Sequence, residues 1–137
     1  MLKFFSYFLF MIIYSLNKVF FFFFKRNFIG WLIFFLQDKS YKKINLEDQS
    51  QLIFFTPNNL VDWRVRTLHS KEPDTIRWID NFDKNKEIIF WDIGANIGLF
   101  SIYSAQKHKG NIKVIAFEPS SSNLRILTRN ISINNFD

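Results

Sequence analysis

The chain has 137 residues, room for one domain and little more. It has no cysteine, which excludes disulfides, thiolate metal sites and cysteine nucleophiles. Its net charge of +6 lies at one end: residues 1–43 carry seven Lys or Arg against Asp38, and the other eleven bases and eleven acids balance, leaving no basic stripe for a nucleic-acid backbone.

The N-terminal segment holds most of the phenylalanine, in FFSYFLFMIIYSL (4–16), VFFFFF (19–24) and FIGWLIFFL (28–36). As one span, residues 4–24 are broken only by Asn17 and Lys18 and match the ~20 residues a helix needs to cross a bilayer. Lys18 lies near one end and can snorkel. No small-residue cleavage site follows the first run, so a secretory signal is disfavoured. Lys18, Lys25 and Arg26 would hold the part that follows in the cytoplasm. Residues 1–36 are therefore read as hydrophobic, basic helices that touch the cytoplasmic membrane through residues 4–36, spanning it or lying in its interface. Packing of amphipathic helices against the domain is the alternative.

Residues 37–50 (QDKSYKKINLEDQS) are polar and read as a linker to a domain over residues 51–137. QLIFF and LVDWRVRTLHS flank TPNN, and Val61, Trp63 and Val65 alternate with Asp62, Arg64 and Arg66, which predicts a hairpin with a Pro-Asn turn. In EPDTIRWIDNF, Ile76, Ile79 and Phe82 predict a short helix capped by Asp74. His69 and His108 have no ligand-like neighbours, so no metal site is expected.

From residue 87 the pattern alternates between strand and helix. EIIFWD is a short apolar run, as in a strand buried on both faces of a parallel sheet. Leu99, Ile102 and Tyr103 then share a helical face, with Gly110 placed as a C-cap. NIKVIAFE predicts a second buried strand. SSSNLRILTRNISINN predicts a second helix with Leu124, Leu127 and Ile131 inward and a serine as N-cap. The order is βαβα, with the two strands parallel. Ligands of such sheets bind at the carboxyl ends of the strands, where Asp92 to Gly98 and Glu118 would meet.

The loop reads G-A-N-I-G and lacks the middle glycine of G-x-G-x-x-G that makes room for a pyrophosphate. Asp92 precedes it, and a carboxylate there repels phosphates but suits an ammonium and a sulfonium. Glu118 follows Gly98 by 20 residues, the spacing at which an acid accepts hydrogen bonds from ribose hydroxyls. The loop thus favours S-adenosylmethionine over NAD, and an NAD-binding module stays as the rival.

FWDIGANIGLFSIYSA and VIAFEPSSSNLRILTRNISIN together resemble the opening half of the FkbM family of S-adenosylmethionine-dependent methyltransferases. HSKEPDTIRWIDNF is similar to the segment before it, so the resemblance covers about residues 50–137. It implies an α/β chain carrying the N-terminal βαβα portion of a Rossmann-like class I methyltransferase fold. It also implies S-adenosyl-L-methionine as cofactor and O-methylation of a sugar, glycan or other small-molecule acceptor. Asp92, Gly94, Asn96 and Gly98 would line the methionine and ribose part of the cofactor, and Glu118 would hold the ribose diol. The family's proton-accepting residues come after the second helix, so no catalytic residue is assigned. The expectation is an N-terminal fragment, half of a split protein completed by a complementing C-terminal half, or a non-catalytic membrane-attached remnant. Lys71 and Glu72 match the family segment without a chemical role.

Overall fold

In the computed structural model, which describes residues 1–136, the phenylalanine-rich start forms a 23-residue helix, α1 (Leu2–Phe24). Its best window has a mean hydropathy of 1.8, and at 1.5 Å per residue it reaches about 35 Å, enough to cross a ~30 Å bilayer core. Lys25, in the left-handed region at φ 53°, ends it, and α2 (Ile29–Asp38) follows. Asn17 ties α1 to the start of α2. Its Oδ1 accepts the N–H groups of Phe28 (3.0 Å) and Ile29 (3.3 Å), and its Nδ2 donates to Asn27 Oδ1 (3.0 Å). It thereby satisfies donors at the start of α2 that the chain itself leaves without a cap. The ten residues of α2 reach only about 15 Å and leave Trp31, Ile33, Phe34 and Phe35 exposed. Residues 1–39 make one unit, and the chain from Ser40 makes a second.

The second unit opens with strands β1 (Tyr41–Asn45) and β2 (Gln51–Phe55), paired antiparallel from Tyr41↔Phe55 to Asn45↔Gln51. Asp48 closes their turn by accepting from Ser50 N at 3.0 Å. The stretch 37–50 is therefore no linker: it supplies the end of α2, a strand and the hairpin turn. The hairpin itself lies one element earlier than expected. Residues 60–70 form helices α3 (Asn59–Arg66) and α4 (Leu68–Lys71) instead of a strand. Asn58 caps α3 through its Oδ1, 3.0 Å from Val61 N. Val61, Val65 and Leu68 are buried while Trp63 is exposed, so the helical period overrides the short alternation. In α5 (Pro73–Asp80) the cap position is Glu72, ahead of Pro73 at the first helical position. Asp74 is not the cap. It sits in the first turn and pairs with Arg77.

Then come β3 (Ile88–Ile93), α6 (Leu99–Lys107), β4 (Ile112–Phe117) and α7 (Ser121–Ile133), a βαβα unit. Its strands are parallel, in register from Ile88↔Ile112 to Ile93↔Phe117. β3 is buried on one face only: Phe90 faces the core, while Ile89, Trp91 and Ile93 are 60%, 60% and 78% exposed. α6 ends at His108, and Gly110 (φ 88°) lies beyond it in the turn to β4. His108 is buried, with Nε2 2.8 Å from Ile79 O and its ring stacked on Phe82. On α7, Leu124 is exposed, whereas Ile126, Leu127 and Asn130 are buried. Ser120 stands at its cap position without a side-chain capping bond.

α7 lies along the outer edge of β2 and pairs with it through side chains. Asn134 accepts from Ile53 N (2.9 Å) and donates to Ile53 O (2.7 Å), and one turn earlier Asn130 accepts from Phe55 N (2.7 Å). The i,i+4 spacing puts both amides on one helix face, where they stand in for a neighbouring strand. The Arg129 guanidinium lies over the Phe55 ring at 3.9 Å and donates to Tyr41 Oη, closing the same seam.

Candidate functional site

After β3 the chain turns through three residues in the left-handed region: Gly94 (φ 81°), Asn96 (φ 55°) and Gly98 (φ 83°). The N–H groups of Gly94 and Ala95 both donate to Phe117 O at 2.9 Å, which fastens the loop to the carboxyl end of β4. Glu118 is the next residue. Its Oε2 accepts from Asn96 N (2.6 Å), and its Oε1 accepts from Ser120 N (2.8 Å) and Asn123 Nδ2 (3.4 Å). The Ser120 N–H first, with Asn96 N–H helping and burial opposing, holds the Glu118 carboxyl below its ordinary value. A carboxylate has about four acceptor positions, so Oε2 keeps one for a ligand hydroxyl.

The two loop glycines do different jobs. A Cβ at Gly98 would lie 2.3 Å from Leu127 Cδ1, so this glycine lets α6 start against α7. A Cβ at Gly94 would meet no atom within 4 Å, so this glycine leaves the open side of the loop bare. Only Gly94 is placed for close approach by a ligand.

Asp92 sits on the core-side face of β3, where its Oδ2 accepts from Ser101 Oγ at 2.5 Å. Burial raises its carboxyl above the ordinary value, with the Ser101 bond partly opposing. Asn96 Oδ1 accepts from Arg64 Nη1 at 2.7 Å. Arg64, Asn96 and Glu118 thus form a continuous chain from α3 to the end of β4. Asp92, Gly94 and Asn96 line a cleft of about 470 Å³, a volume in the range of small-molecule sites, together with Arg64, Lys71 and Trp78 from α3, α4 and α5. Gly98 and Glu118 are not part of its lining. The expected residues therefore come together as a layered set: three on the cleft, Glu118 bonded behind Asn96, and Gly98 packed beneath.

Three residues of this set were not anticipated. Ser101, partner of Asp92, stands three residues after Gly98 in the first turn of α6, and that spacing was its signal. Asn130 is fully buried and donates to Ile97 O (2.9 Å) while accepting from Phe55 N, so it ties the loop to the hairpin. A polar residue on the apolar stripe of α7 marked it. Arg64 was hidden by reading its helix as a strand. Among the described residues no three His, Cys, Asp or Glu side chains gather as a metal site would require.

No family model matches the chain, and no solved structure does. Methyltransferase sdnD from Sordaria araneosa is 43% identical over 56 residues, or 41% of this chain and 20% of that protein. The chain thus spans about a fifth of the length of this curated relative. A stretch of it is similar to part of a methyltransferase.

Proposed function

We propose that the Asp92–Gly98 loop and Glu118 bind S-adenosylmethionine, and that the βαβα unit is part of a Rossmann-like methyltransferase of the FkbM type. The observation that carries this reading is the pairing of an unobstructed Gly94 with Glu118, whose carboxylate is fixed by Asn96 N–H and keeps an acceptor position. The residues suit the cofactor's chemistry. Glu118 would hold ribose hydroxyls, Gly94 would let the ligand lie on the backbone, and Asp92 would face the ammonium of the amino-acid end. When bound, the cofactor supplies an electrophilic methyl group on its sulfonium. The chain's own residues orient it and keep negative charge beside that cation. The partial similarity to methyltransferase sdnD supports methyl transfer as the class of chemistry. The acceptor in this reading is a hydroxyl of a sugar or another small metabolite.

The N-terminal unit would attach the protein to the cytoplasmic membrane. α1 has the length and hydropathy for it, and the polar atoms of Asn17 are satisfied within the unit. Recovery of the chain in the supernatant after high-speed centrifugation without detergent would refute attachment.

Calorimetric titration of the detergent-solubilised chain with S-adenosylhomocysteine tests the cofactor site. The expected result is binding that Glu118→Ala weakens at least about tenfold, with no heat from NADH. Equal affinity of wild type and variant would remove Glu118 from the site, and NADH binding in place of S-adenosylhomocysteine would favour the dinucleotide reading.

A further inference from the structure

We propose that Arg64 recognises the carboxylate of the amino-acid end of S-adenosylmethionine, making α3 the selectivity wall of the cleft; this rests on the cofactor reading above. Arg64 is half-buried, and the one hydrogen bond of its guanidinium among the described residues goes to Asn96 Oδ1. A guanidinium carries five N–H donors in a planar fork that matches a carboxylate, so four remain. No acid among the described residues hydrogen-bonds to them: Asp62, on the same helix, is taken by Lys42 (2.7 Å) and Arg66 (2.8 Å), and Glu118, which feels the Arg64 charge, bonds the backbone of Asn96 and Ser120.

The direction of the ligand follows from which residues line the cleft. Glu118, the ribose anchor, lies outside the lining, and Asn96 stands between it and the cleft. A ligand running from Glu118 across bare Gly94 delivers its amino-acid end into the cleft. There it meets Asp92 and Arg64, an anion and a cation that both line the cleft, as the ammonium and carboxylate of an α-amino acid require. Lys71 also lines the cleft, but its ammonium lies 4.0 Å from Glu72 Oε1 and 5.3 Å from the Trp63 ring. Arg64 differs in being held in place by Asn96 and in offering a planar fork that matches a carboxylate.

The rival role for Arg64 is to hold Asn96 and nothing else. S-adenosylhomocysteine and 5′-methylthioadenosine separate the two roles, because the second keeps the nucleoside and thioether and lacks the amino-acid end. Calorimetry on the full chain should show wild type preferring S-adenosylhomocysteine by roughly tenfold or more. Arg64→Gln keeps a donor for Asn96; it should weaken S-adenosylhomocysteine about 10–100-fold and leave 5′-methylthioadenosine within about twofold. Arg64→Lys, which keeps the charge without the fork, should fall between and covers the case in which the Gln variant does not fold. Equal weakening of both ligands by Arg64→Gln would overturn the proposal and leave Arg64 as a loop brace. Unchanged affinity for both would overturn it with the cofactor site intact. Wild type binding neither ligand would overturn the cofactor reading and this assignment together.

Discussion

Replacing Gly98 by alanine probes how tightly the loop is built into the core. Gly98 has φ 83°, which for a residue with a Cβ costs about 1–2 kcal/mol. The new methyl would also lie 2.3 Å from Leu127 Cδ1 and 3.5 Å from Ile102 Cδ1, and both of those side chains are fully buried. Leu127 cannot swing into solvent, so the clash must be absorbed by the core, at about 1–3 kcal/mol. The sum is roughly 2–5 kcal/mol, a large part of the ~5–15 kcal/mol that holds a typical domain. Urea unfolding followed by tryptophan fluorescence measures it, with Trp63, Trp78 and Trp91 reporting on the unit that contains the loop. A double-mutant cycle with Leu127→Ala isolates the clash. The truncation makes its own cavity, but in the double variant the Gly98 methyl occupies part of that space, so the combined loss should fall short of additive by about 1–3 kcal/mol. A Gly98→Ala protein within about 0.5 kcal/mol of wild type, or a strictly additive double variant, would refute the packing role of this glycine.

The same exchange at Gly94 should behave differently: only the backbone penalty of about 1–2 kcal/mol applies, yet S-adenosylhomocysteine binding should be lost, and unimpaired calorimetric binding would contradict ligand approach at Gly94. Asn130→Leu strands two buried backbone groups, Phe55 N–H and Ile97 O, and should destabilise by roughly 2–6 kcal/mol in the same urea assay. A loss below about 1 kcal/mol would show that the hairpin and the loop do not depend on this bridge. The two site carboxylates should pull stability in opposite directions with pH. The folded Glu118 carboxyl is held below its unfolded value of 4.5, so its contribution is present above that value and lost as pH falls through the folded one. Glu118→Gln should therefore lower the melting temperature near neutrality and converge with wild type at strongly acidic pH. Asp92 is raised above 3.8, so its contribution is present at low pH and lost as pH rises through the folded value. Asp92→Asn removes the neutral-pH cost of the buried carboxylate and should raise the neutral melting temperature relative to the acidic one on that account, and a fall at neutral relative to acidic pH would reverse the sign assigned to its burial.

The parallel strands were legible because EIIFWD and NIKVIAFE are short, β-rich runs set off by turn residues, and the loop between them announces itself through its glycines. Residues 60–70 misled because Val61, Trp63 and Val65 satisfy a two-residue period over so short a stretch. The helical reading needed Leu68, and the Asn58 cap needed geometry. YKKIN carries one aliphatic residue and gains its strand from outside, through five pairs with β2 and the Lys42–Asp62 contact. The loop residues of the site could be read locally. The partners of Arg64 and Asn130 could not, since they lie 32 and 75 residues away, beyond the reach of any local period.

Asn130 also sets a clock. It secures Ile97 O from a position 33 residues later in the chain, so on a ribosome adding about 5–20 residues per second the loop waits roughly 2–7 s for its brace. Throughout that interval α1 is already made and free to engage a membrane, while the glycine loop has its residues but not its shape. On the function proposed above, the order of synthesis would make attachment an early event and the ligand cradle a late one.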